Sequence, residues 1–236
     1  MFKKGIFILF LGAGLTACSS FSPKTWNSNT VIINEEKGEV EFLEAQIKPY
    51  RDSLAESMNQ VIGFADENLV KGRPCSPLNN WAADAILIDQ DSLAKYLRPN
   101  MSLLNFGSIR STINAGEITV GDIFTIMPFD NLVVWVKMPL SSLPEIAAYL
   151  NKSGGEPISN ATLTTKGLFL NVDHTNKDHF WIVTSDYLMN GGDYMSFFEK
   201  KLEVIYTDKL LRESFMDQVK AQGTLKVDKK CRINVE

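Results

Sequence analysis

Apolar residues recur at helical spacing in four segments of the chain, with polar or charged residues between them. The first segment, 44–61, is expected to be a helix despite Pro49 near its start. In the second, Ser76 supplies a side-chain cap and Pro77 a proline in the first turn, which together favour a helix start. Segments 142–151 and 208–222 predict two further helices, the first ending before Gly154. The apolar face predicted for the helix after Ser76 consists of Leu78, Trp81, Ala82, Ala85 and Ile86.

Short runs of apolar residues predict strands at 102–105, 132–138, 168–172 and 180–185. The run 132–138 (LVVWVKM) is almost entirely apolar, so we expect an internal strand there. Helices separate some of these strands, whereas strand patterns between 160 and 185 are adjacent in sequence. This mixture predicts an α+β domain in which helices cover mixed sheets.

The N-terminus has the pattern of an exported bacterial lipoprotein. Lys3 and Lys4 precede an uncharged apolar run that is too short to cross a bilayer. The run ends in Leu-Thr-Ala-Cys at 15–18, which resembles a lipobox, and Cys18 would receive the lipid. We therefore expect a signal peptide at 1–17, a polar tether at 18–40 and a folded domain at 41–236. The protein would be anchored by lipid to a membrane of the bacterial cell envelope, on its periplasmic or surface face. The alternative is an ordinary signal peptide with an incidental cysteine.

Charge and cysteine content narrow the possible partners. Without Lys3 and Lys4 the chain has 22 basic against 28 acidic residues, a formal charge of −6. No dense basic run is present, which argues against nucleic acid as a partner but leaves small anions possible.

An exported protein can form a Cys75–Cys231 disulfide, and the alternative is two unrelated thiols. Neither cysteine has a second Cys or His at ligand spacing, so no cysteine-based metal site is expected.

Three loops next to predicted strands carry residues suited to ligand binding. The segment 104–110 (LNFGSIR) ends in Arg110, whose planar guanidinium suits a phosphate or carboxylate. In 127–131 (MPFDN) a proline fixes the backbone ahead of Phe129, where a ring can face a flat ligand. In 187–193 (YLMNGGD) paired glycines lie between an aromatic and an acid. Taken singly, the first segment also fits a turn with a surface Arg, the second a core aromatic and the third a simple turn.

In their order and spacing the three segments resemble the C-terminal, substrate-binding domain of the 5'-nucleotidase family. That family includes periplasmic UDP-sugar hydrolases and surface nucleotidases, and the resemblance runs from about Ile47 to Lys201. Further matches are the helix sequence Asn-Asn-Trp-Ala-Ala-Asp-Ala at 79–85 and Gly-x-Ile-Thr at 116–119. The resemblance implies the family's layered fold, helix, sheet, sheet, helix.

The resemblance also implies a nucleotide-binding site. Phe129 and Tyr187 match two rings that sandwich the nucleobase, and Asn105 matches an Asn that contacts it. Asp193 matches an acid that binds the ribose hydroxyls, and Arg110 matches an Arg that binds phosphate.

Some positions depart from the family pattern or align less well. A second phosphate-binding Arg of the family lies just before the Asn-Asn helix, and Arg73 is nearest to that position. Phe106 and Ser108 stand where the family loop is richer in glycine, which leaves the backbone path near Arg110 open. Tyr187 stands where the family commonly has Phe, and its added hydroxyl would alter base preference.

The family's hydrolytic chemistry takes place at two metal ions in a separate metallophosphatase domain. Such a site needs several His and carboxylate ligands from different loops. The two histidines, His174 and His179, lie in one short polar stretch that more closely resembles a hairpin loop. We therefore expect no metal or other cofactor in this chain, with divalent metals bound by a partner metallophosphatase.

Three functional classes follow. The first is the nucleotide-recognition half of a split 5'-nucleotidase. The second is a stand-alone nucleotide- or nucleoside-binding lipoprotein, and the third is a structural lipoprotein with a vestigial site.

Overall fold

The computed structural model describes residues 41–93, 98–171 and 178–234. The expected signal peptide, the lipidation site Cys18 and the whole tether at 18–40 lie outside these ranges, as does His174. The chain divides into two compact units, Met1–Gln46 and Ile47–Glu236, and the account below concerns the second. Within the described ranges, no helix combines the length and apolar character needed to cross a membrane.

Helices and strands alternate irregularly along the described residues. In chain order they are α1 (Glu41–Met58), β1 (Val61–Ala65), α2 (Pro77–Leu93), β2 (Met101–Leu103), β3 (Gly116–Thr119), α3 (Val120–Ile126), β4 (Leu132–Pro139), α4 (Leu143–Ser153), β5 (Ile158–Ser159), β6 (Ala161–Thr164), β7 (Gly167–Leu170), β8 (His179–Ser185), α5 (Asp186–Met189), β9 (Glu203–Leu210) and α6 (Leu211–Gln222).

The largest sheet has five strands in the order β5-β2-β8-β4-β9. Strand β2 runs parallel to β8, while the other neighbouring pairs are antiparallel. Two-stranded sheets are formed by β1 with β3 and by β6 with β7. The mixed sheet confirms the predicted α+β class. Strand β4, predicted to be internal, lies between β8 and β9.

The core lies on both faces of the five-stranded sheet. Along β4, Val133 and Trp135 belong to one buried cluster, while Val134 and Val136 belong to the other. Because successive strand residues point to opposite faces, the two clusters cover opposite sides of the sheet. The first contains the buried residues of α2 and α6, and the second those of α4 and the β6–β7 hairpin.

Helix α2 follows the sequence prediction closely. The Ser76 hydroxyl accepts a hydrogen bond from the Asn79 backbone N–H at 3.2 Å, so Ser76 caps the helix that opens with Pro77. All members of the predicted apolar face are buried: Leu78, Trp81, Ala82, Ala85 and Ile86. Helix α4 ends before Gly154, which adopts a left-handed conformation with φ of 78°.

At two of the helix boundaries, residues predicted to be helical lie in strands instead. Val61 continues the helical spacing of α1 but begins β1, where it pairs with Thr119 of β3. Its apolar side chain fits both periods, so spacing alone could not distinguish them. At the other end, 208–210 complete β9 and the last helix begins at Leu211. Strand β9 is an edge strand in which half of the residues are exposed and none is buried, and it therefore lacks a clear apolar alternation.

The C-terminal segment is fastened to α2 by several contacts. Cys75 and Cys231 form a disulfide, with 5.5 Å between their Cα atoms. The Arg232 guanidinium pairs with both carboxylate oxygens of Asp84, each at 2.7 Å. The Asn80 amide donates to the backbone carbonyls of residues 228 and 230 at 2.7 and 2.9 Å. These contacts stabilise the first half of α2, which begins four residues after Arg73.

Candidate functional site

A cavity of about 270 Å³ opens among three loops, one after β2, one before β4 and one after β8. The structure brings five of the six predicted ligand-binding residues to it, and Arg73 is the exception. The lining consists of Asn105, Gly107, Ser108, Arg110, Phe129, Asn131, Tyr187 and Asp193.

The loop after β2 is a short 3-10 turn, Phe106–Ser108, that begins at the buried Asn105. The Ser108 hydroxyl donates to the Asn105 carbonyl at 2.8 Å, which closes the turn. With this backbone fixed, the Asn105 side-chain amide donates to Asp193 Oδ2 at 2.6 Å. A Ser at 108, where the family loop is richer in glycine, thus forms a hydrogen bond that shapes the turn.

Arg110 follows this turn and is exposed at the edge of the cavity. Its backbone N–H donates to the Ile126 carbonyl at 2.8 Å, which positions the residue. One guanidinium nitrogen donates to the Gly107 carbonyl at 3.2 Å, and the guanidinium carbon lies 5.5 Å from the Phe129 ring centroid. Because a guanidinium has five N–H donors, Arg110 retains others that can bind an anion.

Phe129 presents a ring that is 38% exposed, and Arg212 holds its loop. Arg212, at the start of α6, donates to the Phe129 carbonyl at 3.3 Å and forms an ion pair with Asp130. Its guanidinium carbon also lies 4.5 Å from the Phe124 ring centroid. Arg212 was not predicted from the sequence, because no local spacing connects two positions more than 80 residues apart.

Tyr187 and Asp193 face each other across the loop after β8. The Tyr187 hydroxyl donates to Asp193 Oδ1 at 2.9 Å, and this hydrogen bond is the main cause that raises the pKa of the Tyr187 phenol. The Tyr187 ring lies directly over Gly192, where a Cβ atom would be only 2.5 Å from Cε1. Glycine at 192 is therefore required for this ring position.

Asp193 has an unusual backbone conformation and many partners. Its φ is 51°, and that of Tyr194 is 61°, values that non-glycine residues adopt rarely. The Asp193 carbonyl accepts a hydrogen bond from the Tyr149 hydroxyl at 2.8 Å, in addition to the side-chain bonds from Asn105 and Tyr187. These contacts hold the carboxylate at the cavity wall.

Arg73 points to a second polar cluster and does not line the cavity. It pairs with Glu156 at 2.6 Å, and its guanidinium carbon lies 4.6 Å from the Phe106 ring centroid. Glu156, only 3% exposed, also accepts a hydrogen bond from the Phe106 N–H. Burial raises the pKa of Glu156, and burial with the nearby Glu156 carboxyl raises the pKa of Tyr149 to about 12. A ligand role for Arg73 stays a prediction, and Glu156 and Tyr149 are supporting residues that sequence analysis missed.

Among the described residues, no group of three or more His, Cys, Asp or Glu side chains is arranged to hold a metal ion. His179 Nδ1 lies 2.7 Å from the neighbouring Asp178 carboxylate, on the protein surface. His174 belongs to the stretch outside the described ranges.

Part of the chain is similar in sequence to known proteins. The sequence profile of the family described as 5'-nucleotidase, C-terminal domain, matches residues 58–143, which include Asn105, Arg110 and Phe129. The 5'-nucleotidase of Vibrio parahaemolyticus is 23% identical over 168 residues, 67% of this chain and 27% of that protein. That of Vibrio vulnificus is 24% identical over 141 residues, 56% of this chain and 23% of the relative. The chain thus spans about a quarter of the length of these curated relatives.

Solved structures share the fold. A 5'-nucleotidase precursor from Thermus thermophilus superposes with a TM-score of 0.65 at 23% identity, covering 87% of this chain and 45% of that one. The NAD nucleotidase of Haemophilus influenzae gives a TM-score of 0.61 at 16% identity, covering 90% and 44%. At these identities the structures establish the fold alone. The profile match and the related sequences support a relationship of this chain to the 5'-nucleotidase C-terminal domains, whose fold it shares.

Proposed function

We propose that this domain binds a nucleotide and is the substrate-recognition half of a 5'-nucleotidase-type phosphohydrolase in nucleotide catabolism. The observation that carries the proposal is the convergence of two half-exposed rings, a carboxylate and a guanidinium on one cavity. These groups match the three parts of a nucleotide: a flat base, a sugar with hydroxyl donors and an anionic phosphate.

Each group has a distinct physical role. A base held between Phe129 and Tyr187 gains stacking energy of about 1–3 kcal/mol per ring, as judged from single-ring deletions. The Asp193 carboxylate can accept hydrogen bonds from sugar hydroxyls. The free N–H donors of Arg110 can form charge-assisted hydrogen bonds to a phosphate. Phe129 is held in place by Arg212, so the clamp is partly formed before a ligand arrives.

We further propose that hydrolysis depends on a metallophosphatase domain carried by a separate chain, which binds the divalent metals. Lipid attachment at Cys18 would hold the recognition domain at a membrane of the cell envelope, where it meets exported nucleotides and its partner. The observations that support this are the lipobox-like sequence and the relatives, which are named as nucleotidases and are several times longer than their match to this chain.

Binding of AMP and adenosine to the purified domain tests the recognition role. Phe129→Ala is expected to weaken both ligands about tenfold to a hundredfold, because stacking is lost. Phe129→Leu is the matched variant, since it keeps apolar volume without an aromatic face. Arg110→Ala is expected to weaken AMP far more than adenosine, because adenosine has no phosphate. If neither ligand binds at millimolar concentration by NMR or calorimetry, with or without a metallophosphatase partner, the nucleotide site is refuted.

Activity measurements test the split arrangement. The domain alone should show no metal-dependent release of phosphate from AMP, whereas addition of an exported metallophosphatase domain encoded nearby should produce it. Phe129→Ala should then lower kcat/KM. Binding of nucleotides without any effect of such a partner on turnover would instead identify a stand-alone nucleotide-binding lipoprotein.

A further inference from the structure

The Tyr187 hydroxyl is already hydrogen-bonded to the Asp193 carboxylate, the group proposed to bind the ligand's sugar. It donates to Asp193 Oδ1 at 2.9 Å, and the hydroxyl oxygen accepts from the Asp193 N–H at 3.3 Å. On the other side, Asn105 donates to Asp193 Oδ2 at 2.6 Å. Both carboxylate oxygens therefore have a protein donor before any ligand is present.

We propose that Tyr187 determines sugar selectivity, because its hydroxyl competes with ligand hydroxyls for Asp193. The inference rests on the proposed nucleotide site and deepens it. A carboxylate oxygen accepts about two hydrogen bonds, so a sugar hydroxyl binds Asp193 Oδ1 either beside the phenol or in its place. In both cases the sugar hydroxyl gains less binding free energy than it would at a carboxylate without a protein donor, because the phenol already donates a hydrogen bond to the carboxylate.

The competition of the hydroxyl for Asp193 can be measured separately from stacking by the ring. The Tyr187 ring packs on the Gly192 backbone and is 46% exposed, so contacts of the ring, and not the hydroxyl alone, hold it in place. Replacement by Phe removes the competing donor and leaves an aromatic face of the same shape. The domain therefore binds ligands with a 2',3'-diol less strongly than its Phe129–Tyr187 clamp and Asp193 would otherwise allow. Ligands without these hydroxyls are unaffected by the competition.

The test is a comparison of adenosine with 2',3'-dideoxyadenosine, two ligands with the same base. Dissociation constants are measured by calorimetry or NMR for wild type, Tyr187→Phe and Tyr194→Phe. Tyr194 is the matched control, because it is 92% exposed on the same loop and does not line the cavity. Thermal melting of each variant confirms that the fold is retained.

Tyr187→Phe is expected to tighten adenosine by about twofold to tenfold, the range of one net hydrogen bond, and to leave dideoxyadenosine unchanged. Tyr194→Phe is expected to change neither ligand. Equal changes for both ligands, no change, or a selective loss of adenosine would each overturn the inference while the nucleotide site stands. A selective loss would show that the hydroxyl positions Asp193 for the sugar. If neither ligand binds any of the three proteins, the proposed function fails, and the selectivity role of Tyr187 fails with it.

Discussion

Gly192→Ala is the most informative single substitution in the loop after β8. An added Cβ would lie 2.5, 2.6 and 2.7 Å from Cε1, Cζ and Cδ1 of Tyr187. Carbon atoms in contact are normally about 3.5–4.0 Å apart, so the ring has to move by about 1 Å or more. Such a shift separates the Tyr187 hydroxyl from Asp193 and removes one wall of the base clamp.

Gly192→Ala should weaken ligand binding with little effect on the stability of the fold. Gly192 does not require a positive φ, and the Tyr187 ring is half-exposed, so it can rotate towards solvent. We expect the free energy of unfolding to change by less than about 1 kcal/mol, because the ring can move without disturbing the buried core. Binding of 2',3'-dideoxyadenosine, which has no sugar hydroxyls to gain from a freed Asp193, should weaken about tenfold to a hundredfold, the contribution of one stacking ring.

Gly191→Ala is the matched control, with the opposite expectation. Gly191 has φ of 90°, and an added Cβ would meet nothing within 4 Å. Alanine there should cost about 1–2 kcal/mol of stability from backbone strain and leave the Tyr187 ring in place. Chemical denaturation and calorimetric titration with 2',3'-dideoxyadenosine measure the two effects. If Gly192→Ala binds this ligand like the wild type, Tyr187 does not form part of the clamp.

Three further predictions concern other parts of the chain. Because burial raises the native pKa of Glu156, the folded state holds its proton more tightly than the unfolded state. Denaturation across mildly acidic pH should show stability falling as pH rises from the ordinary to the raised carboxyl pKa, and Glu156→Gln should lack this slope. Cys231→Ser, which opens the bond to Cys75, should lower the free energy of unfolding by about 2–4 kcal/mol, and reductant should have no further effect on the variant. Cys18→Ser should leave unlipidated precursor on fractionation of cells, and mature lipoprotein in the membrane fraction of that variant would contradict the lipobox assignment.

The parts of the fold with strong local patterns were predictable from the sequence. Helix α2 has a cap, a proline start and a continuous apolar face, and strand β4 is an unbroken apolar run, so both were predicted correctly. Strands β1, β3, β5 and β9 were not predicted, because their pairing depends on residues far along the chain and β9 lacks a clear apolar alternation. For such elements tertiary contacts decide the structure, and short sequence windows do not contain them.

In the candidate site, too, residues in local motifs were predictable and residues that act through distant contacts were not. Asn105, Arg110, Phe129 and Tyr187 stand within recognisable segments, and the structure brings them to one cavity with Asp193. The residues that hold these groups lie elsewhere in the chain: Arg212 behind Phe129, Tyr149 at Asp193, and Glu156 against the Phe106 turn. Arg73 has a suitable charge, but its pairing with Glu156 takes it away from the cavity lining, and that pairing spans 83 positions.

The attachment of the C-terminal segment to α2 has a consequence for the order of folding during synthesis. Asn80 is buried, and its side-chain amide donates to carbonyls 148 and 150 residues later in the chain. Until those residues have been made, the first core helix contains a polar group with no partner from the tail, and burial of such a group is costly. Strand β2 likewise waits for its parallel neighbour β8, about 80 residues further on. Contacts this distant in sequence slow folding and make it depend on nearly the whole domain, so a nascent chain stays open until synthesis of the domain is almost complete.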